Sequence, residues 1–333
     1  MFQLTLVKSD RSARYNITPL VGEISWDSEF TITSALEFDM AYSDAKFFPT
    51  NPCELGDLVI LTKDAEEVFR GIVIDEDRNG RDAIQYSAYD VSWYLGQSKS
   101  VYQFNRVTAT HAISKILDDF GIPIGSIITM PTLIDEIYIQ ETPDTIIQKI
   151  IDSVEQKEGY KINGEMRGGK LYLEKRRDLL IQGRFQLAAN FGGRSVTDVI
   201  GSPARKRTIE DMRNRIRLIV DDEETEYEIT AQAENGALIE QYGLLEETIK
   251  IDAEDAAKSR QVAKILLQRL GKVHETVSVK LMGDVRFKAG YLFDLSEPIT
   301  GLHGRFMIVT AKHSVSKQIH TMDLELALPE DVE

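Results

Sequence analysis

The stretch from Tyr86 to Phe120, YSAYDVSWYLGQSKSVYQFNRVTATHAISKILDDF, constrains the fold more than any other. It opens as a strand, with Tyr86, Ala88 and Val91 at near-alternate positions among polar residues. It then crosses an aromatic cluster, Trp93, Tyr94, Tyr102 and Phe104. It closes as an amphipathic helix with Ala109, Ala112, Ile113, Ile116, Leu117 and Phe120 on one face. Thr108 is placed to cap that helix and Gly121 to end it. One run therefore finishes an all-β unit, seals it with aromatics and begins an α/β unit.

The two sides of this junction read differently. Residues 1–100 carry short strand-like runs, FQLTLV, GEISW, TITSALEF, DLVILT, EVFRGIVID and AIQYSAY, and Asn79-Gly80 between the last two predicts a type I′ hairpin. Residues 101–204 are mixed. A second helix starts at Thr142 and Pro143, carries Ile146, Ile147, Ile150, Ile151 and Val154 as its stripe, and stops at Gly159. A hairpin turning at Gly168-Gly169 follows. Residues 205–333 return to β, with one inserted helix over 252–271 that Asp252 caps. The segment Gly56-Asp-Leu-Val-Ile-Leu leading to Arg70-Gly71 is echoed by Gly290-Tyr-Leu-Phe-Asp-Leu leading to Gly304-Arg305. In each, a glycine opens an alternating strand, and a second apolar strand follows a turn. The predicted class is α+β, mainly β: two similar small β-barrels at the ends of the chain flank a mixed α/β middle domain.

Charge narrows the function classes. The chain of 333 residues has a net charge of −15, which disfavours direct nucleic-acid binding while leaving a wall that repels phosphate. Arg205, Lys206, Arg207, Arg213, Arg215 and Arg217 form a basic stretch. Asp221, Asp222, Glu223, Glu224, Glu226 and Glu228 form an acidic one directly after it. Two solvated strands and a turn is one reading; complementary patches at a subunit contact is the other. No apolar run approaches the roughly 20 residues that span a bilayer, and the N-terminus reads as a first strand rather than a signal peptide. The single cysteine, Cys53, precludes an intramolecular disulfide and fits a reducing cytoplasm.

The search for chemistry yields no catalytic constellation. Gly164–Leu171, GEMRGGKL, has the opening of a phosphate loop but Leu171 where a hydroxyl is needed, and a strand follows rather than a helix. A hairpin turn explains it. His303, His313, His320 and Asp323 lack the paired spacing of a metal site and fit cross-strand polar pairs. Gly193-Arg-Ser195 lacks the closing glycine of a nucleophile elbow. No cofactor and no metal are expected, and the absence of a constellation favours an assembly role over an enzyme.

Three stretches carry a resemblance. AYDVSWYLGQSKSVYQF with the TATHAISKILDDFGI helix, MRNRIRLIV, and the ending HGRFMIVTAKHSVSKQIHTMDLELAL resemble the baseplate hub proteins of contractile phage tails, of the XkdQ/YqbQ type. The resemblance spans most of the chain; the first fifty residues and the 123–140 loop carry little of it. It implies a homotrimer in which each subunit gives two similar barrels, so that three subunits match a hexameric tail tube at one end and a trimeric spike at the other. It implies as partners the tail tube protein, the spike protein and other baseplate proteins. A tape-measure protein or DNA would pass the channel without specific binding, and no membrane insertion is implied. The related spike proteins of type VI secretion share the hub architecture but continue into a β-helical spike, so here the spike is expected to be a separate protein. Assembly in the bacterial cytoplasm and residence in the baseplate of a virion or tail-like particle follow. The basic and acidic blocks, Arg205–Arg217 and Asp221–Glu228, are then candidates for a subunit or tube contact. A tail-associated cell-wall hydrolase, and a receptor- or carbohydrate-binding tail module with Trp26 and Trp93 as candidates, are the alternatives.

Overall fold

A computed structural model of the chain describes residues 1–186, 200–220, 228–251, 259–297 and 300–329. The N-terminal part holds β1 (Phe2–Val7), β2 (Arg14–Asn16), β3 (Val21–Ser28), β4 (Ala35–Met40), β5 (Leu58–Lys63), β6 (Glu66–Asp77), β7 (Ile84–Tyr89) and the short α1 (Trp93–Gln97). The middle holds β8 (Ser100–Thr108), α2 (Ala109–Asp119), β9 (Ile124–Ile127), β10 (Leu133–Glu141), α3 (Pro143–Glu158), β11 (Ile162–Arg167) and β12 (Lys170–Lys175). Then come β13 (Leu180–Gln186), β14 (Ile200–Thr208), β15 (Arg215–Val220), β16 (Glu228–Glu234), α4 (Gly236–Tyr242), β17 (Glu246–Ile251) and α5 (Ser259–Leu270). The chain ends with β18 (His274–Met282), β19 (Leu292–Glu297), β20 (Leu302–Ser316) and β21 (Ile319–Ala327). The class is mainly β with some helix, as the alternating runs require. Residues 204–277 form a compact unit of their own, and Met1–Pro203 with Ser278–Glu333 form the other.

Within the larger unit the middle segment has a core of its own. The stripe Ala109, Ala112, Ile113, Ile116 and Leu117 of α2 is fully buried, and so are Ile146, Ile147, Ile150 and Val154 of α3. They pack with Tyr102 and Phe104 of β8, whose rings stack at 5.8 Å, and with Tyr138 of β10. Each buried isoleucine, leucine or valine of these stripes contributes about 1.5–3 kcal/mol by leaving water, and each alanine less. Thr108 caps α2 by accepting from His111 N at 3.3 Å, and Gly121 (φ +64°) follows its last turn. Gly168 and Gly169 (φ +57° and +73°) make the two-residue link between β11 and β12, the geometry that only a glycine adopts cheaply. The Asn79-Gly80 expectation is corrected. The β6–β7 ladder ends at the Asp77–Gln85 pair, so the connection is longer than a two-residue type I′ turn.

The large sheet repeats a strand order. Its first part runs β3-β4-β7-β6-β5-β1, with β2 on the outside of β1. Its second part runs β14-β18-β21-β20-β19-β13. The six positions correspond one to one in order, though not in every direction: β1 is antiparallel to β5, whereas β13 is parallel to β19. The two turns that open β5 and β19 correspond atom for atom in the backbone. Asp57 N donates to Glu54 O at 3.2 Å, and Tyr291 N to Lys288 O at 3.2 Å. Gly56 (φ +87°) and Gly290 (φ +83°) take the third position, where a type II turn demands a positive φ. Gly56 N then donates to Val73 O, and Gly290 N to Ile308 O, at 2.8 and 2.9 Å.

Closed barrels are not found among the described residues. The halves are joined where β3, the edge strand of the first, meets β20, an inner strand of the second. β3 pairs with β20 from Glu23–Ser316 to Ser28–Ala311 instead of turning back onto its own half. The fifteen-residue β20 also pairs with β19 from Leu302 to Met307 and with β21 from Met307 to Ser316.

The smaller unit is a three-stranded sheet, β16-β15-β17, with α5 on one face. Ile216, Leu218, Ala231 and Ala263 form the buried cluster between that sheet and α5. The expected helix over 252–271 is described from Ser259 to Leu270; the capping role given to Asp252 lies outside the described residues.

Candidate functional site

The basic stretch takes its geometry from alternation along β15. Ile216 and Leu218 face α5, so Arg215 and Arg217 face the opposite side of the sheet. There they meet carboxylates from both neighbouring strands. Arg215 bonds Glu234 of β16 at 2.8 Å and reaches Glu246 of β17 at 3.4 Å; Arg217 reaches Glu246 at 3.1 Å. Arg213, just before β15, bonds Glu247 at 2.8 Å. Arg205 bonds Glu275 at 2.7 Å, and Arg207 lies 3.9 Å from the same carboxylate. Lys206 is exposed on β14. The acidic residues Asp221, Asp222, Glu223, Glu224 and Glu226 lie outside the described residues, and Glu228 opens β16. The arginines are thus engaged by Glu234, Glu246, Glu247 and Glu275, carboxylates that sequence spacing did not single out.

A second surface was not singled out from sequence. On the face of β3-β4-β7-β6 turned away from the core, Ser25, Glu37, Ser87 and Asp75 lie in register, and Asp39, Gln85 and Asp77 form the next row. Glu23 and Asp82 border the same shallow groove. Among the described residues none of Glu23, Glu37, Asp39 and Asp82 enters an ion pair with a lysine or arginine. The signal was present as the carboxylates of GEISW and ALEFDM at alternate positions, but it takes the register to bring them onto one face.

The remaining polar clusters are mostly paired within themselves. Glu165 of β11 pairs with Lys288 and lies 3.1 Å from Arg167, and Tyr291 donates to it at 3.3 Å. Asp90, after β7, accepts from Ser34 N at 2.8 Å and Ser92 N at 2.9 Å; burial pushes its carboxyl up to about 6. Cys53 is buried, and desolvation pushes its thiol up to about 12, an environment that suppresses the thiolate. His303 sits in an exposed pair with Ser296, apart from His313 and His320. The latter two meet on one face of the β20–β21 hairpin, with Trp26 stacked on His313. Among the described residues no group of three or more His, Cys, Asp or Glu side chains is arranged to hold a metal ion.

The comparison with known proteins fits this picture of strands and surfaces. The YqbQ-like family profile matches residues 24–327. The chain belongs to the YqbQ-like family. A relative, the phage-like element PBSX protein XkdQ of Bacillus subtilis, is 25% identical over 287 residues, 83% of this chain and 84% of that protein. A 43 kDa tail protein of prophage MuSo2 from Shewanella oneidensis superimposes with a TM-score of 0.74 at 14% identity, covering 99% of this chain and all of that one. A component of the E. coli type VI secretion system, described as structurally similar to the phage T4 tail proteins gp27 and gp5, gives a TM-score of 0.51 at 9% identity over 92% of this chain and 73% of its own. At these identities the likeness is one of fold: this YqbQ-like chain has the fold of phage tail proteins. No helix among the described residues is long and apolar enough to cross a membrane.

Proposed function

We propose that this protein is the structural hub of a contractile-tail baseplate: a homotrimer that adapts a hexameric tail tube to a trimeric spike and lines the central channel. The repeated strand order carries the reading. A chain with two like modules gives six near-equivalent modules in a trimer, which is what a threefold ring needs to meet a sixfold one. The modules are read as open relatives of a barrel within the division 1–100, 101–204 and 205–333, the second module also taking β13 and the start of β14 from the middle part, with residues 209–273 running between β14 and β18. The family relation to XkdQ and the tail-protein fold support the setting, and the match to proteins that build tails favours a non-enzymatic role. The tube protein, the spike protein and other baseplate proteins are the partners; a tape-measure protein or DNA passes without specific binding. The unpaired carboxylate face on β3-β4-β7-β6 suits the channel wall, because it repels phosphate at short range. The chain is assembled in the bacterial cytoplasm and resides in the baseplate of a virion or tail-like particle.

Light scattering on the purified chain, alone and with its tube and spike partners, tests the reading. A trimer, or a monomer that becomes three copies on a partner, is expected. A chain that stays monomeric and binds neither partner overturns it. The block Arg205, Lys206, Arg207, Arg213, Arg215 and Arg217, with Asp221, Asp222, Glu223 and Glu224, is proposed to lie at a subunit or tube contact. Reversing Lys206 and Arg207 together, the pair with the least internal engagement, should lower the yield of assembled tails at least several-fold while the chain stays folded. Normal assembly by that variant removes the block from the contact.

A further inference from the structure

We propose that the buried pair His313–His320 is a proton-operated latch on the joint between the two halves of the large sheet. The pair sits where the halves meet. His313 lies on β20 and is 2% exposed; His320 lies on β21 and is 6% exposed. They are diagonal neighbours, since His313 opposes Met322 and His320 opposes Val315. From the first half, the Trp26 ring of β3 lies parallel to His313 at 4.8 Å and also covers His320 at 5.2 Å. Phe2 of β1 meets His320 edge-on at 5.0 Å. Gln318, in the turn between β20 and β21, bonds both backbone groups of Phe2, at 2.8 and 3.1 Å. Gly283 lies flat on the His320 ring, with no room there for a Cβ.

The hydrogen bonds fix both tautomers. His313 Nε2 is 2.8 Å from Phe287 O, which can only accept, so Nε2 carries the hydrogen. His313 Nδ1 of the neutral ring is then a lone pair, and it faces His320 Nε2 at 3.0 Å. His320 Nε2 must donate. That leaves His320 Nδ1 as a buried lone pair without a hydrogen-bond partner.

A proton has one place to enter without breaking a bond, that Nδ1, and the resulting imidazolium has no free counter-charge. The charged groups that act on the pair are Lys63 at the end of β5, and Asp284 and Lys288 in the turn before β19. Asp284 is already engaged by Arg286 through both carboxylate oxygens. A second proton would have to break the bond between the rings. Burial accordingly holds His313 down at about 4 and His320 at about 3, against an ordinary value near 6.5. The closed joint favours neutral rings and the opened joint accepts protons. The latch is therefore fully engaged above pH ~6.5 and loses about tenfold per pH unit per histidine as pH falls from there toward 4.

Hydrogen exchange on the full chain tests this, after correction for the intrinsic pH dependence of exchange. Between pH 6.5 and 5, peptides covering β3 and residues 311–316 of β20 should open at least tenfold more than peptides covering α2 and α3. A H320Q variant that folds should cut this excess by about tenfold, leaving the share of His313. Acid opening spread evenly over both regions, or an excess unchanged in H320Q, overturns the latch. A readout that needs no variant is the ring nitrogen spectrum of the native protein labelled with ¹⁵N-histidine. An unprotonated His320 Nδ1 that does not titrate above pH 5 is expected; a midpoint near 6.5 for either ring in the folded chain overturns it.

Discussion

Residues 54–57 and 288–291 make the same turn, with a glycine at positive φ in the third position and the same pair of bonds to the second strand of the hairpin. Their side-chain surroundings differ. After Gly56 comes Asp57, fully buried, held by Lys8 Nζ at 2.7 Å and by the amides of Ser9 and Glu54, each at 3.0 Å. After Gly290 comes Tyr291, whose hydroxyl reaches Glu165 on the β11–β12 hairpin. The first turn is thus secured from within its own half by an ion pair beside β1. The second is secured from outside it, by the middle segment. The backbone hydrogen bonds specify the hairpin in both places, and the side chains are left free to tie each copy to a different neighbour. That freedom is what lets a repeated module occupy two non-equivalent places in one chain.

The largest expected effect comes from breaking the internal tie. Lys8→Met leaves the Asp57 carboxylate at 0% exposure with two backbone amides and no cation. Removing one member of a buried pair costs about 3–4 kcal/mol. Denaturant unfolding measures it, and a loss below about 1 kcal/mol would mean that the amides alone hold Asp57, so that the two turns are less different than their neighbours imply.

How much of this was legible in the sequence follows from the range over which each signal acts. The α2 stripe, its Thr108 cap and the Gly121 stop were readable because a helix writes its partners three and four residues apart. The Gly168-Gly169 hairpin was readable for the same local reason. β8 and β10 were not. Bulges shift their register between Ile134 and Glu136 and between Ile139 and Glu141, and Arg106 and Gln140 take positive φ, so the period of two is broken inside each strand. The glycine echo was half right. Gly56 and Gly290 correspond, but Gly71 opposes Val59, which corresponds to Phe293 opposite Phe306, not to Gly304. The rest of the repeat was hidden because residues 209–273 run between β14 and β18, where the first half passes from β3 to β4 in a short loop. At the candidate surfaces the charged residues themselves were legible, but the carboxylates that engage Arg213, Arg215 and Arg217 come from β16 and β17. The His313–His320 pair followed from the hairpin, whereas the stacking of Trp26 on it needs β3 to join β20, a pairing that no local pattern encodes.

A gentler pair of substitutions sharpens the same comparison at the glycines. Alanine at either position must accept a positive φ, about 1–2 kcal/mol for an L residue. At Gly56 nothing lies within 4 Å of the added Cβ, so the backbone term is the whole cost. At Gly290 the Cβ would fall on the Asn163 side chain, itself 6% exposed and hemmed in on β11. Gly290→Ala should therefore lose about 2–3 kcal/mol and Gly56→Ala about 1 kcal/mol. Combining Gly290→Ala with Asn163→Ala separates the two contributions. If the clash is the difference between the turns, the double variant loses less than the sum of the single losses, and the residual cost of alanine at 290 falls to that at 56. Equal losses from the two single variants would place the distinction elsewhere, in the Asp57 and Tyr291 side chains alone.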